Sequence, residues 1–430
     1  MKILLTDASG LTSRQVSTIL FRKHHSVHVL SPPSVLSLTK LSRSVRQSHI
    51  VPPFGEDPYI WLDACLAILR TSTPPFDVLI CTQEQVAVLA AEIEKVKETG
   101  VKIAVPEFKS LRRVMGKIDA GQALAEAGLP QPESIVVQDL SPDELIKAES
   151  LLPAYIKSPI GTASTGVRHV KTSDELATAI ADFVASGAFA LDDGNDSSSQ
   201  LLVQKEIPGP LLMVSAVFSH GRLLAWHSCI RLHEGVGGGA SKKVSLPLKI
   251  IETHLQALGS ELEWHGALSL DAILRVEGGK ETVWYIDVNP RIVEPMNGLL
   301  AGVDLVDALL QVSLGTEGGG NEKEVVRHGI EGVQTHQLIL ALMESAERGR
   351  VWLLVEVFKA VMQFDMYAGS TEELTPVGLE DVWSVLVLIG LVMMLFVGGR
   401  WSVERLKGGA VRDYALSPMG WRMICAGKRS

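Results

Sequence analysis

Two aspartates and an asparagine stand at the ends of two apolar runs in the stretch Trp264 to Arg291, WHGALSLDAILRVEGGKETVWYIDVNPR. Ala267 to Leu274 and Thr282 to Val288 are rich in β-branched, aromatic and aliphatic residues, and Glu277-Gly278-Gly279-Lys280 between them is a hairpin turn signal. Paired as a hairpin, the runs bring Asp271 and Asp287 side by side, and two half-buried like charges are costly unless a cation or a proton holds them. Asn289 adds a third oxygen two residues further on, on the same strand face. Two carboxylates and an amide suit a hard divalent ion, most simply Mg²⁺ bridging phosphate oxygens, with Mn²⁺ as the alternative. Arg291 follows two residues later, and its planar fork matches a carboxylate or an acyl phosphate.

Other segments supply cations and phosphate-binding backbone. In Ala154-Tyr-Ile-Lys-Ser-Pro-Ile-Gly-Thr-Ala-Ser-Thr-Gly-Val167 a lysine, Lys157, ends an apolar strand, and a loop rich in small hydroxylic residues follows. Gly161 and Gly166 have the spacing of a P-loop, but Val167-Arg168 replaces Lys-Ser/Thr and a strand follows. A loop whose N–H groups and hydroxyls close over phosphates, through Gly161, Ser164, Thr165 and Gly166, fits better than a plain turn. Lys117 lies near the start of a helix that stops at Gly128, with Pro130 and Pro132 just beyond.

These motifs in this order resemble the ATP-grasp fold of biotin carboxylase, D-alanine ligase and the large subunit of carbamoyl phosphate synthetase. The resemblance covers roughly residues 1 to 312. It implies an ATP-dependent ligase that turns a carboxylate into an acyl phosphate and passes it to an amine, releasing ADP and phosphate. It further implies that Asp271, Asp287 and Asn289 hold the metal, that Lys157 and Lys117 contact the nucleotide phosphates, and that Arg291 steadies the acyl phosphate. Leu201 to Gly209 resembles the family's hinge strand, where backbone groups around Gln204, Lys205 and Ile207 read the adenine edge. Two departures stand out: Gly116 occupies the place of the aspartate that usually precedes the lysine, and Leu211 that of the ribose-binding glutamate.

At 430 residues the chain suits two or three domains. We expect an N-terminal doubly wound α/β domain over 1–108, a two-lobed ATP-grasp domain over 109–312, and a helical C-terminal region over 313–430. A net charge of −9 argues against nonspecific nucleic-acid binding; the resemblance implies a small-molecule carboxylate and amine as partners and allows a homo-oligomer. Four scattered cysteines (Cys65, Cys81, Cys229, Cys425) read as reduced thiols in a cytoplasmic protein. The apolar N-terminus MKILLTDASG reads as a buried first strand.

Within the first domain the patterns predict strands at Ile3–Thr6, 26–30, 77–81 and 102–105, with helices at 13–22, 61–69 and 83–98. A dinucleotide-binding oxidoreductase is the weaker alternative, because Gly10 stands alone where G-x-G-x-x-G is needed. The histidines His24, His25 and His28 read as solvated. DDGNDSSS, within 191–199, reads as a surface insertion. Arg231 and the loop His233 to Lys243, with glycines 237–239, could meet an anionic substrate, and Glu294 and Asn297 are candidates for selecting the amine or the acid.

The most apolar stretch is Val382 to Val397. Its 16 residues fall short of the ~20 that a spanning helix needs, and the tail 401–430 holds six Lys or Arg against two acids. We expect it not to cross a membrane, but to be buried against the preceding helices or to make peripheral membrane contact. A catalytically decayed ATP-binding regulator is the remaining alternative.

Overall fold

The computed structural model describes residues 1–33, 37–161, 166–186, 200–316, 326–375 and 381–427, with the side chains of 409–413 excluded. Ser164, Thr165 and the insertion at 191–199 lie outside the described residues.

The N-terminal strands β1 (Lys2–Leu5), β2 (Ser26–Ser31), β3 (Gln47–Ile50) and β4 (Val78–Ile80) form a parallel sheet in the order β3-β2-β1-β4. Its central strands are buried on both faces, as continuous Val, Ile and Leu runs require in a doubly wound sheet. The helix Pro58–Thr71 starts where Asp57 accepts the N–H groups of Tyr59 and Ile60 and a proline occupies the first position. Several sequence expectations are corrected here. The helix over 83–98 is two short helices, Val86–Ala91 and Ile93–Lys97, and the strand at 102–105 is reduced to a single bridge between Val78 and Lys102. His28 is buried, stacked on His49 and edge-on to Phe76, with its pKa lowered to about 4 by burial first and by the His49 charge next.

The turn after β1 also rejects the dinucleotide reading. The Asp7 carboxylate accepts from the Ser9 and Gly10 amides and the Ser13 hydroxyl, so an anion of the protein itself fills the place where a pyrophosphate would sit. A Cβ at Gly10 would lie 2.1 Å from the Gln83 amide, so no open approach remains there.

The next sheet is small and antiparallel. Strands β5 (Ser134–Val137), β6 (Ala154–Lys157), β7 (Val167–Val170) and β8 (Leu201–Lys205) run in the order β5-β8-β6-β7. The helix Ser173–Ala185 covers one face and shares its core. The large sheet holds β9 (Leu211–Ser219), β10 (Arg222–Glu234), β11 (Ala240–Ser245), β12 (Gly266–Glu277) and β13 (Lys280–Asn289). The C-terminal region adds β14 (Arg327–His328), β15 (Gln334–His336) and β16 (Thr371–Glu372), giving the path β13-β12-β9-β10-β11-β15-β16 with β14 on β10. The region after residue 312 is therefore mainly helical but not only so: three of its strands complete the sheet.

Period-two alternation on β12 sends Leu268, Leu270, Ala272 and Leu274 into the core shared with the helix Lys249–Leu262. Ser269 and Asp271 take the other face. That other side of the sheet is covered by the helix Leu305–Leu314, which shares a second core with Ile3, Val16 and Ile19 of the N-terminal domain.

A buried polar network ties the regions together. Lys243 pairs with Glu294 and, at 2.8 Å, with Glu373; Gln337 donates to both glutamates, and Gln15 of the first helix donates to Glu373 at 2.9 Å. Burial pushes the Lys243 pKa down, but its two carboxylate partners outweigh this and hold it above the ordinary range. Beside it His227 is buried, with Nε2 2.7 Å from Asn297 Oδ1 and its pKa lowered to about 4, chiefly by burial. A histidine whose folded pKa lies below its unfolded value contributes stability that is complete above the unfolded value of 6.5 and lost as pH falls towards 4. His227→Gln should therefore destabilise the protein by roughly 1–3 kcal/mol near pH 7.5, with a deficit that shrinks as pH is lowered through this window. Denaturant melts of both proteins at several pH values measure it; a deficit that grows on acidification would contradict the assignment.

Candidate active site

The hairpin β12–β13 holds the candidate metal ligands. Asp271 and Asp287 are direct partners in the antiparallel ladder, as are Ser269 and Asn289. The register breaks next to Asp271: Asp271 pairs with Asp287, but Ala272 pairs with Tyr285. Ile286 is thus the extra residue of a β-bulge, and it changes which face follows. Val283 and Tyr285 point into the core, and strict alternation would send Asp287 after them. The bulge restarts the count, so Val288 goes inward while Asp287 and Asn289 turn to the side of Asp271. Asn289 Nδ2 lies 3.5 Å from Asp271 Oδ2.

The bulge also supplies an acceptor. Lys157, buried at the end of β6, donates from Nζ to the Ile286 carbonyl at 2.9 Å and to Gln204 Oε1 at 2.8 Å. One lysine thereby spans the cleft from the small sheet to the large one. Burial lowers its pKa to about 8, with the Asp287 charge opposing the shift and Lys117 adding to it. Asp271 moves the other way, to about 7: burial comes first and the Asp287 charge second, against the pull of Arg291 and Lys157.

Lys117 begins the helix Lys117–Glu126 and donates from Nζ to the Gly161 carbonyl at 2.8 Å. The expected helix is present, with Lys117 as its first residue, and a separate helix, Phe108–Met115, precedes it across Gly116. A Cβ at Gly116 would lie 2.8 Å from Asp119 Oδ2. The Asp119 carboxylate therefore lies against the position where an aspartate at 116 would start, a feature its place one turn into a helix did not signal. Gly166 closes the loop after β6 with φ +75, and a Cβ there would lie 2.1 Å from Ser158 Oγ. Its carbonyl accepts from the Ser158 amide at 2.8 Å.

Lys117, Gly161, Asp287, Asn289 and Arg291 line one cleft, together with Glu84 of the N-terminal domain, which the sequence did not single out. Arg291 is half-buried, and its Nε is buried without a hydrogen-bond partner among the described residues. On the hinge, the amides of Lys205 and Glu206 are taken by the carbonyls of Glu133 and Pro153, both at 2.9 Å. Between Gln204 and Ile207 these two amides are thus already used within the protein. The Gln204 side chain faces Lys157, and Lys205 pairs with Glu133 at the surface.

Other candidates are drawn elsewhere. Asn297 is buried and shared among His227, Thr335 and the Val333 carbonyl, so it selects no substrate. Arg231 pairs with Glu234 and bonds the Gly238 carbonyl, while Lys243 is enclosed by Glu294 and Glu373. Glu373 was hidden in a segment of turn composition. Only its adjacent acid, Glu372, set it apart in the sequence.

No protein-family model and no curated protein sequence matches the chain. Solved structures do match in shape. The biotin carboxylase domain of Hydrogenobacter thermophilus 2-oxoglutarate carboxylase, solved with MgADP and bicarbonate, superposes with a TM-score of 0.57 at 14% identity, covering 76% of this chain and 72% of that one. An N5-carboxyaminoimidazole ribonucleotide synthetase in its ADP complex gives 0.56 at 13% identity, over 81% and 84%. An L-amino acid ligase from Bacillus licheniformis gives 0.55 at 16% identity, over 79% and 80%. This chain has the ATP-grasp fold.

Within this ATP-grasp fold the donor set meets the demands of a magnesium ion. Among the described residues no cluster of three or more His, Cys, Asp or Glu could enclose a metal, and two carboxylates with an amide leave room for phosphate oxygens and water. Leu211 is held in place by strand pairing with Ile273, while Pro210 accepts from the Leu274 amide at 3.1 Å.

Two outcomes follow. Deleting Ile286 should turn Asp287 and Asn289 towards the core and cost the protein at least about 3 kcal/mol, whereas Ile286→Ala, which keeps the bulge carbonyl, should retain nucleotide binding; equal effects of the two changes would contradict the role of the bulge. Asp271→Asn should relieve like-charge repulsion, leaving the ligand-free melting temperature unchanged or higher while removing the Mg²⁺-dependent part of nucleotide binding, both readable by calorimetry.

Proposed function

We propose that this protein is an ATP-dependent ligase that activates a carboxylate as an acyl phosphate and joins it to an amine. The observation that supports the reading is the cleft shared by Asp287, Asn289, Lys117 and Arg291, with Asp271 paired to Asp287 in the ladder and Lys157 bonded to the Ile286 carbonyl beside it. In the first step a carboxylate oxygen of the acid attacks the γ-phosphorus of ATP, the bond to the β,γ-bridging oxygen breaks, and ADP leaves. In the second the amine attacks the acyl carbon, phosphate departs with the C–O bonding electrons, and the nitrogen gives up a proton.

Asp271, Asp287 and Asn289 are the residues that would hold Mg²⁺, or Mn²⁺ in its place, and the ion when bound would neutralise charge on the phosphates. Lys157 and Lys117 would position the phosphates beneath the loop of Gly161, Ser164, Thr165 and Gly166. The hinge Gln204, Lys205 and Ile207 would take the base. Arg291, which lines the cleft, would meet an acyl phosphate oxygen. We take 1–108, 109–312 and 313–430 as the working division of the chain, its substrates as small molecules, its setting as cytoplasmic, and a homo-oligomer as compatible with it.

Gly116 and Leu211 favour a second reading, an ATP-binding regulator without turnover. A screen of carboxylates and amines for Mg²⁺-dependent ADP release separates the two, because only the ligase requires the acid. Lys157→Ala should weaken ATP binding and remove most turnover, and unchanged affinity and rate would return its segment to a plain turn. Arg291→Lys should keep ATP affinity while lowering turnover on the order of 10²-fold. Wild-type rates in the latter would remove Arg291 from the reaction.

A further inference from the structure

The C-terminal helices leave a large apolar surface uncovered. The helical stretch Val382–Tyr414 is two helices meeting at a kink at Gly399 (φ 51, ψ −132); Val382–Gly408, 27 residues, has the length and composition to cross a bilayer but is not one straight rod. Only 11% of its most apolar stretch is buried, which overturns the expectation of a core helix. Leu395 and Val403 are its buried contacts with Leu342, Met343 and Leu353. Outward it presents Trp383, Met393 and Val397, and the neighbouring helix Arg350–Met362 presents Val351, Phe358 and Val361, the last 74% exposed. At 1.5 Å per residue the part before Gly399 runs about 25 Å, alongside the exposed face of Arg350–Met362.

Charge is sorted around this surface. Glu356 and Lys359, on the shorter helix, turn towards the protein: Glu356 accepts from Tyr367 Oη at 2.6 Å, and Lys359 pairs with Asp365 at 2.7 Å. Cations gather where the two helices meet. Arg348 lies 4.2 Å over the Trp352 ring and Arg405 5.3 Å over Trp401. Arg350 donates to the Phe396 carbonyl, Arg400 to that of Glu347, and Lys407 pairs with Glu347. These five cations, Arg348, Arg350, Arg400, Arg405 and Lys407, stand at one meeting place with carboxylates that include Glu344, Glu347 and Glu356. Tryptophan beside arginine at the rim of an apolar face matches the boundary between acyl chains and headgroups.

The tethers fix the orientation. At its start Asp381 and Ser384 are held by buried Arg14 of the first helix, at 3.3 and 2.9 Å. Beyond its end Trp421 packs edge-on to Phe108, and Ile424 enters the main core. Both ends return to the same body, so the helix lies along that body, and crossing a bilayer would strip Leu395, Val403 and the Arg14 anchor from their partners.

We infer that the outer face of Arg350–Met362 and Val382–Gly408 beds into the headgroup layer of an anionic lipid bilayer, parallel to the membrane plane, as a monotopic anchor. The test is flotation of the full chain with extruded vesicles of phosphatidylcholine, alone or with about a quarter phosphatidylserine. The protein should float with the mixed vesicles, and its bound fraction should fall several-fold on phosphatidylcholine alone or in roughly 0.5 M NaCl. The double variant Phe358→Glu, Val397→Glu, at exposed positions, should bind about tenfold less or weaker with an unchanged melting temperature. Failure of the wild type to float, or wild-type flotation of the variant, overturns the inference. So does a dimer in sedimentation that the variant converts to monomer without any flotation, which would assign the face to a second copy. Resistance to carbonate with the tail exposed only on the far side would assign it to a span.

Discussion

One irregularity in a β-ladder sets the geometry of the candidate site. The bulge at Ile286 turns Asp287 and Asn289 out of the core, places them beside Asp271, and frees the carbonyl that Lys157 reaches across the cleft to meet. Burial first, and the Asp287 charge beside it next, raise the Asp271 pKa to about 7, and Arg291 and Lys157 oppose the rise without cancelling it. Two paired carboxylates removed from water beside three cations give the cleft groups that could meet both a cation and an anion.

A second set of charges has a different task. Lys243, Glu294, Glu373 and Gln337 are drawn from the large sheet, the segment after β13 and the C-terminal region, and Gln15 joins them from the first helix. A buried lysine with two carboxylates is tolerated only when every partner is in place, so the network penalises any arrangement in which one region drifts away. The short strands β14 to β16 act in the same direction by completing the large sheet. Glu294 is shared between this network and the Thr12 hydroxyl, which its amide meets at 3.3 Å, so the chain just beyond Arg291 is held by the N-terminal domain.

The apolar helices at the C-terminus answer to neither cluster. Their inner face is fixed by Leu395 and Val403 and by the Arg14 anchor, and their outer face carries aromatic and aliphatic side chains with the charges moved to the rim. A soluble helix ordinarily shows the reverse pattern, with charge outward and apolar residues inward. The contrast lies within one molecule: the helix Leu338–Arg348 buries Leu340, Leu342 and Met343, while its neighbours expose their equivalents.

The sequence by itself determined the order of parts and most members of the candidate site: the carboxylate-bearing hairpin, the lysines at 117 and 157, the arginine two residues after Asn289, and the alternating α/β beginning. Those signals are local, since period, turn residues and residue type survive without knowledge of partners. Tertiary structure decided what depends on contacts distant in sequence. The bulge that aims Asp287 is not visible in an uninterrupted apolar run. The fate of Lys243 and Asn297 depends on glutamates and carbonyls dozens of residues away, and Asp119 lies against Gly116 only because a helix restarts there. The apolar stretch after Asp381 read as core because composition alone cannot say which hydrophobic face is covered; only packing reveals that most of it is not.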